Sequence, residues 1–431
     1  MEKIPGITWV LLALSLVIGG ILAPATGRGT PADPFDKLRA GRQGPIRPFF
    51  DARESQTKYV GPGREKAPPA DVKEVRIGYF GPSTGSHPEG GDMWCAACLA
   101  VDEANHRSTQ KNLKFELPDS KLAQSRRLPF RLVAGWSDNP WGSGVTQVTR
   151  MVYVDSVWAI IGGIDGPSTH LAEQVVTKAR LTLVSPASTD RTANLANVPW
   201  MFSCLPPDNV QAPVLARAIA SCVGDRRFVL VSAVDHDSHI CAVQLLKSLA
   251  RHQLAPVYHF EFDARQGDFA ELADEILDTK AHALVVVAGA RPSADIIRTV
   301  RKRGFGEPIF GGPCMGRRTF LEKASKAAEG VVFPLLYRPG KRASSFEQKF
   351  IARFGKRPDY LAAHTYDAVN LLIEAIDRAG LNRARIGDAV RELSPWHGVT
   401  ADIRWDSLGS NSRPVGLGTI KNGRVLPVSH K

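Results

Sequence analysis

The sequence predicts an α/β protein built from two doubly wound, Rossmann-like lobes. From residue 130 onward, short apolar segments alternate with segments of helical periodicity, a pattern typical of repeated βα units. The repeated units fall into two groups along the chain. The length of 431 residues exceeds what one ordinary hydrophobic core holds, and a hydrophobic content of 43% is ample for two.

The N-terminal segment has the features of a secretory signal peptide over residues 1–25. Lys3 supplies the positive charge, residues 7–22 form an apolar run, and Ala23-Pro-Ala25 offers a small-x-small cleavage site. We therefore predict export to the periplasm or another extracytoplasmic space, with an uncleaved N-terminal anchor as the alternative. Residues 26–72 are rich in Pro, Gly, Arg and Lys without periodicity, which predicts a disordered spacer.

The first group of elements follows this spacer. Apolar segments predict strands at 75–81, 130–134, 158–162 and 181–185. Periodic segments between them predict helices at 92–105, 144–153 and 168–178. Residues 106–127 are polar and irregular, which is typical of a surface excursion.

The second group begins near residue 209 with a predicted helix to about residue 221. Strands are predicted at 228–233, 257–262, 283–288, 309–310 and 330–334. Helices are predicted between them at 240–252, 269–277 and 294–303. Two further helices, at 344–353 and 360–379, precede short strand-like segments at 402–405 and 416–421.

The stretch 158–190 is predicted to be a βαβ unit, and it holds the first candidate site. Ligands of parallel sheets bind beyond the carboxyl ends of the strands, where this stretch places small polar residues. These are Ser168 and Thr169 in one loop and Ser185, Ser188 and Thr189 in the other. Backbone N–H groups after Pro167 predict an anion site at the helix start. We find no metal ligands, nucleophile–base pair or phosphate-binding lysine here, which indicates binding, not catalysis.

Two patterns favour an enzyme at first sight. Gly81-Pro-Ser83-Thr-Gly85 fits the nucleophile elbow of serine hydrolases, but that elbow turns directly into a helix, and here a loop containing Pro88 intervenes. Trp94-Cys95-Ala-Ala-Cys98 fits a thioredoxin-like motif, but the repeated βα units extend far beyond a small redox domain. We interpret Cys95 and Cys98 as small residues packing one helix, or as a local disulfide formed after export.

A third pattern is the polar cluster Asp235-His236-Asp237-Ser238-His239. It resembles a metal site in composition, but His236 and His239 are predicted to lie in a turn and match no helical ligand pair. We interpret it as a loop lining a cleft, and we predict no bound metal and no cofactor. The net charge of +12 is dispersed over the chain, so solvated helix ends are favoured over a nucleic-acid surface.

The order of these motifs resembles that of a known family. Strand IGYFGPSTG, helix GGDMWCAACLAVDEAN, strands IIGGIDGPST and LVSPASTD, and the segments PPDNVQAP, RFVLVSAVDHD, ALVVVAGARPSADIIRTVRKRG and YLAAHTYDAVNLLIEAI follow one another along the chain. In this order they resemble the periplasmic solute-binding proteins of the leucine/isoleucine/valine-receptor type, which serve ABC importers. The resemblance covers about residues 75–427. It implies two lobes joined by a hinge of three crossovers that closes on a ligand.

The resemblance assigns the lobes and part of the site. It implies lobe 1 at 73–207 plus 337–396 and lobe 2 at 208–336 plus 397–431. Ala187 and Thr189 match residues that hold an amino acid head group, and Asp208 matches a cleft aspartate. The family's head-group serine falls on Gly166, so Ser168 or backbone N–H groups are expected to replace it.

The second lobe departs from the family at three positions. Asp237 stands where the family has a tyrosine, an aromatic position falls near Ala290 or Arg291, and the glutamate expected to bind the ligand's ammonium falls on Cys314. Together with His236, these residues imply a ligand other than a branched-chain amino acid, and a more polar one.

These observations predict a monomeric, non-enzymatic receptor that delivers a small polar solute, amino-acid-like or a related amide or carboxylate, to ABC permease subunits. The alternative is a ligand sensor for a signalling partner, which has the same fold. An enzyme acting through Ser83 or the Cys95/Cys98 pair is the third hypothesis. We predict no nucleic-acid partner, because no helix-turn-helix precedes the first strand.

Overall fold

Two mainly parallel sheets, each covered by helices on both faces, make up most of the folded chain. The computed structural model describes residues 50–51, 57–110, 128–338 and 340–428. The predicted signal peptide and residues 26–49 of the predicted spacer lie outside this range. The α/β class and the two-lobe architecture predicted from the sequence are confirmed.

The elements follow one another in the predicted alternation. The strands are β1 (Phe50–Asp51), β2 (Lys58–Tyr59), β3 (Val75–Phe80), β4 (Phe130–Gly135), β5 (Ala159–Gly162), β6 (Leu183–Ser185), β7 (Met201–Ser203), β8 (Val229–Ala233), β9 (Tyr258–Phe262), β10 (Leu284–Val287), β11 (Ile309–Gly311), β12 (Val332–Leu335), β13 (Trp396–His397), β14 (Asp402–Ile403), β15 (Gly416–Lys421) and β16 (Arg424–Pro427). The helices are α1 (Gly91–Gln110), α2 (Val145–Tyr153), α3 (Gly166–Ala179), α4 (Asp208–Val223), α5 (His236–Ala250), α6 (Ala270–Asp278), α7 (Ala290–Lys302), α8 (Arg318–Ala324), α9 (Ser344–Phe354), α10 (Tyr360–Ala379) and α11 (Arg383–Glu392).

The first lobe contains a five-stranded parallel sheet in the order β4-β3-β5-β6-β7. Successive residues of its central strands pack into separate cores on opposite faces, as strand geometry requires. Ile77 and Ile161 contribute to the core under α1 and α10, whereas Phe80 and Ile160 contribute to the core under α2 and α3. The strand order reverses between β3 and β5, and ligands of doubly wound sheets bind at such a point.

The second lobe contains a seven-stranded sheet in the order β16-β15-β12-β11-β10-β8-β9. The strands from β9 to β12 are parallel, and β15 and β16 add an antiparallel pair at one edge. Its central strands read as continuous buried runs, such as Leu284–Val287, because helices cover both faces. The strand order reverses between β8 and β10.

The chain passes between the lobes three times, between β7 and α4, after β12, and before β15. The third passage lies later than the sequence implied. Ile403 and Trp405 are buried in the first lobe's core, and the Trp405 ring lies 5.1 Å from that of Phe202. The Asn411 N–H donates to the Ser203 carbonyl at 3.0 Å. Residues 397–411 therefore belong to lobe 1, and the assignment of all of 397–431 to lobe 2 is corrected.

Part of the predicted spacer is folded against the first lobe. Tyr59 is buried, and its ring packs edge-on against Trp200 with centroids 5.6 Å apart. The Asn382 side-chain amide donates to the Gly63 carbonyl at 2.9 Å. The prediction of disorder is therefore corrected for residues 57–72. It was based on the average composition of residues 26–72, which did not reveal that Tyr59 packs into the first lobe.

The other departures concern short elements and helix starts. Helix α5 begins at His236 instead of residue 240, because Asp235 caps it by accepting from the Ser238 N–H at 3.0 Å. His236 and His239 therefore lie on a helix, not in a turn. The sequence analysis missed α8, α11, β1, β2, β7, β13 and β16, all of ten residues or fewer. Among the described residues, no helix has the length and apolar character needed to cross a bilayer.

Candidate functional site

The predicted site residues come from loops at the carboxyl ends of strands in both sheets, where the lobes meet. The first lobe contributes the loops after β5, β6 and β7, and the second lobe those after β8, β10 and β11. These loops surround the reversal points of both sheets, where doubly wound folds bind ligands. The candidate site is therefore the cleft between the two lobes.

Thr189 and Asp208 form a polar pair in this cleft. The Thr189 hydroxyl donates to Asp208 Oδ2 at 3.1 Å, and the Asp208 N–H donates to the Thr189 carbonyl at 2.9 Å. Asp208 is 2% exposed, and its Oδ1 atom has no nitrogen or oxygen partner among the described residues. Burial, reinforced by nearby Asp237 and Asp190, raises the pKa of Asp208 well above its usual value. The pair thus offers a buried carboxyl group that also contacts the Cys241 thiol and has one oxygen without a nitrogen or oxygen partner among the described residues.

Asp237 closes the cleft from the second lobe. Its carboxylate accepts from the Gly166 N–H, at 3.1 Å to Oδ1 and 3.0 Å to Oδ2, where helix α3 of the first lobe begins. Burial raises the pKa of Asp237 to about 6, although the Gly166 N–H opposes that shift. A Cβ atom at Gly166 would lie 2.1 Å from Asp237 Oδ1, so only glycine permits this contact. The N–H groups after Pro167, where the anion site was predicted, also have partners in the chain: Ser168 N–H donates to Asp165 Oδ1 at 2.8 Å and Thr169 N–H to the Asp165 carbonyl at 3.1 Å.

Ser168 and Thr169, predicted to contact a ligand, are fully buried and bind the loop itself. Ser168 and Asp165 form a reciprocal capping box, in which Asp165 Oδ1 accepts from the Ser168 N–H at 2.8 Å and the Ser168 hydroxyl accepts from the Asp165 N–H at 3.3 Å. The Thr169 hydroxyl donates to the Asp165 carbonyl at 2.7 Å and lies 3.1 Å from the Ser185 hydroxyl oxygen. Both hydroxyls therefore hold the helix start and the adjacent strand end in place.

The loop after β6 contains one buried residue that stabilises the loop and two that are partly exposed. Ser188 is 1% exposed, its N–H donates to the Ser185 hydroxyl oxygen, and its own hydroxyl accepts from the Asp190 N–H, each at 3.2 Å. Ala187 is half-buried and packs against the first lobe's core, and Thr189 is also half-buried. Of the residues predicted here, Ala187 and Thr189 remain the ones with exposed surface.

Cys314 and Arg291, the remaining predicted residues of the second lobe, differ in their environments. The Cys314 thiol donates to the Ala288 carbonyl at 2.7 Å, and burial raises its pKa to about 12. It is therefore a neutral thiol at the position where the resemblance expects a glutamate. Arg291 is exposed in the first turn of α7.

A cluster that the sequence analysis missed joins the lobes beside these loops. The Nε2 atoms of His170 in α3 and His236 in α5 lie 2.9 and 2.7 Å from Asp190 Oδ2. Hydrogen bonding with Asp190 and Glu173 raises the pKa of His170 to about 9. Burial alone would raise the pKa of Asp190, but hydrogen bonds from the two histidines hold it below its usual range. His170 and Asp190 both lie in the stretch where no metal ligand was predicted.

A family model described as "periplasmic binding protein" matches residues 74–424. The chain belongs to the periplasmic binding protein family.

Several relatives and solved structures of periplasmic binding proteins are similar to this one. The leucine-, isoleucine-, valine-, threonine- and alanine-binding protein of Pseudomonas aeruginosa is 19% identical over 340 residues, which is 78% of this chain and 86% of the relative. LivJ of Streptococcus pneumoniae, solved with isoleucine, has a TM-score of 0.71 at 22% identity and covers 82% of this chain and 98% of its own. A solute-binding protein of Rhodopseudomonas palustris, solved with 3,4-dihydroxybenzoic acid, has a TM-score of 0.71 at 16% identity, with coverages of 83% and 97%.

The residues behind the enzymatic hypotheses do not form reactive sites in this periplasmic binding protein. Cys95 and Cys98 are free thiols on α1, and burial raises the pKa of both, that of Cys98 to about 11. A thioredoxin-type nucleophile requires the opposite shift. Ser83 is exposed in a loop that precedes α1, not at a strand-to-helix elbow. The relatives reported above are likewise binding proteins.

A cavity of about 840 Å³ lies outside the cleft, between the sheet edge of the second lobe and helices α9 and α10. Its lining includes Leu321, Phe333, Tyr337, Ile351 and Leu426. None of the predicted ligand-binding residues lines it. The contacts of Asp237 and His236 with the first lobe show that the cleft itself is held closed in this structure.

Proposed function

We propose that this periplasmic binding protein is an exported receptor that captures a small polar solute between its lobes and delivers it to an ABC-type permease. The observation that carries the proposal is the Thr189–Asp208 pair, with an unsatisfied buried oxygen at the meeting point of two doubly wound sheets. A buried polar group without a partner is costly, so a solute that forms a hydrogen bond with this oxygen gains affinity. Relatives with the same fold carry small solutes in their structures.

The solute is proposed to lack an α-ammonium group. A zwitterion in a closed cleft needs a counter-charge for its ammonium, because an unpaired buried charge is strongly disfavoured. Burial favours the neutral form of Asp208, Asp237 already accepts from Gly166, and Cys314 is a neutral thiol. Similar proteins solved with benzoate and with 3,4-dihydroxybenzoic acid show that this fold accommodates carboxylates without an ammonium.

A thermal-shift screen tests the proposal directly. The full chain is heated with amino acids, amides, carboxylic acids and small polyamines, and a ligand of the folded state raises the melting temperature by mass action. We expect a carboxylic acid or an amide to stabilise the protein most. No stabilisation by any of these classes would count against a polar-solute receptor.

For the ligand found in this way, Thr189→Val should weaken binding about tenfold or more. The substitution keeps the side chain's shape but removes the hydroxyl, and a buried polar group of the ligand left without this partner costs about 1–3 kcal/mol. Isothermal titration calorimetry measures the change. Thr299→Val is the matched control, because the Thr299 hydroxyl bonds only within α7, to the Asp295 carbonyl at 2.8 Å. Equal affinities of the two variants would exclude the loop after β6 as the site.

Leucine, isoleucine and valine should bind weakly or not at all, for the electrostatic reason given above. Cys314→Glu places a carboxylate where the resemblance expects one and should shift preference toward amino acids. Calorimetry with leucine on both proteins measures this, and Cys222→Glu, at the opposite end of α4 from Asp208, is the control. Tight binding of leucine by the unmodified protein would contradict the prediction.

A further inference from the structure

We propose that His170, Asp190 and His236 form a binding site for a divalent transition-metal ion of the Zn²⁺ class, which joins the two lobes across the cleft. The site shares His236 with the predicted solute cleft, but zinc binding to it can be measured without knowing the solute. Two of its ligands belong to the first lobe and the third to the second.

The three side chains have the composition and convergence of a zinc site. Two imidazole nitrogens and one carboxylate oxygen lie within 4.8 Å of one another, with the two Nε2 atoms 2.9 and 2.7 Å from the same oxygen, Asp190 Oδ2. Ligand atoms at about 2.0–2.2 Å from a tetrahedral ion are about 3.3 Å apart. Small side-chain rotations therefore suffice to admit an ion between the three atoms.

The ligands of the first lobe are held by further hydrogen bonds, as in established metal sites. His170 Nδ1 lies 3.3 Å from Glu173 Oε2, a carboxylate that fixes the ring with Nε2 directed at Asp190. Asp190 Oδ1 accepts from both the backbone N–H and the hydroxyl of Thr192, each at 2.7 Å. Oδ2 is thereby left for the two histidines. The half-site on the first lobe is preorganised before the second lobe contributes His236.

His236 completes the site only when the lobes are together. It lies in the first turn of α5, and its side chain is 41% exposed, which leaves a fourth coordination position accessible to water or a solute. In the closed form the ion binds ligands from both lobes, whereas in the open form it lacks His236. The ion therefore binds the closed form more tightly and shifts the population toward it.

Protons compete with the ion for the same nitrogen atoms. Zn²⁺ binds neutral imidazole, so binding requires a free electron pair on the Nε2 atoms of His170 and His236. Glu173 Oε2, 3.3 Å from His170 Nδ1, can accept the remaining proton of that ring. Metal affinity should therefore rise with pH, as it does for sites of neutral imidazole ligands.

Zinc binding by the full chain, carrying no polyhistidine tag and freed of metal with a chelator, tests the proposal. Calorimetry should show one saturable Zn²⁺ site, and Co²⁺ substitution should give visible absorption without intense thiolate-to-metal bands. His170→Gln, Asp190→Asn and His236→Gln should each weaken binding at least tenfold. His239→Gln is the matched control, since His239 is exposed on the same helix and outside the cluster.

Small-angle scattering provides a second test of the proposed metal site. Small-angle scattering should show that Zn²⁺ favours the compact form of the unmodified protein but not of His236→Gln, an exposed position whose substitution leaves the core intact. Equal zinc affinity of His236→Gln and His239→Gln, no saturable binding, or thiolate bands with Co²⁺ would each overturn the proposal. Failure of the solute screen would leave these measurements unaffected.

Discussion

Replacing Arg317 with methionine is expected to lower the free energy of unfolding by about 3–5 kcal/mol, the cost of breaking a buried ion pair from one side. Arg317 is 5% exposed, and its Nε atom lies 2.6 Å from Asp359 Oδ2, itself in a buried side chain. It also donates to the Glu89 carbonyl at 2.9 Å. Methionine keeps the apolar part of the side chain but leaves the buried Asp359 carboxylate without the counter-charge of Arg317. Urea denaturation monitored by circular dichroism measures the loss.

Arg303→Met is the matched control for this prediction. Arg303 Nε lies 2.7 Å from Asp274 Oδ1, and the Asp274 side chain is 64% exposed. A solvated ion pair of this kind contributes about 0–1 kcal/mol to stability. The double variant Arg317→Met/Asp359→Asn should recover part of the stability, since the amide needs no counter-charge and can still accept from the helix N-terminus. A loss below about 1 kcal/mol in Arg317→Met would show that the pair does not stabilise the fold.

Substituting Gly166 with serine, the residue of the resembled family, should hold the cleft open. The new Cβ atom would lie 2.1 Å from Asp237 Oδ1, so the Asp237 carboxylate cannot keep its hydrogen bond to the Gly166 N–H, and overpacking of this kind costs about 1–3 kcal/mol. Small-angle scattering should show a larger radius of gyration than for the unmodified protein. The melting temperature should fall at the same time.

A double-mutant cycle separates this clash from a general effect of serine at the helix start. Gly166→Ser/Asp237→Ala removes the atom that the new side chain meets and should restore the compact form, whereas Asp237→Ala alone should have a smaller effect. If serine expands the protein equally with and without Asp237, the clash with Asp237 is not what opens the cleft.

The elements of the two lobes were predictable because local signals agree with one another. Continuous apolar runs such as residues 284–287 and the amphipathic segment 360–379 are found within a residue or two of their predicted bounds. Each depends on burial patterns confined to one segment. The final assignment of residues 397–411 was not predictable in this way, since it depends on packing against strand β7, about 200 residues earlier.

The candidate site was predictable only in its location. Loops at strand ends were recognised, but the roles of their residues depend on neighbours from the other lobe. Asp237 lies 71 positions from Gly166, and His236 lies 46 positions from Asp190, so no local pattern joins either pair. One local signal was overlooked. The spacing of Asp165 and Ser168 is that of a capping box, which assigns the Ser168 hydroxyl to the helix and not to a ligand.

The late third passage between the lobes has a consequence for how the protein is made. The first lobe's core contains Tyr79 from near its start and Trp405 from near the end of the chain. Ribosomal synthesis proceeds from the N-terminus, so this lobe cannot complete its core until almost the whole polypeptide has emerged. The second lobe's central strands, between residues 229 and 335, are available earlier. Nascent chains released before residue 400 should therefore expose an unfinished first lobe, and such chains depend on chaperones more than their length suggests.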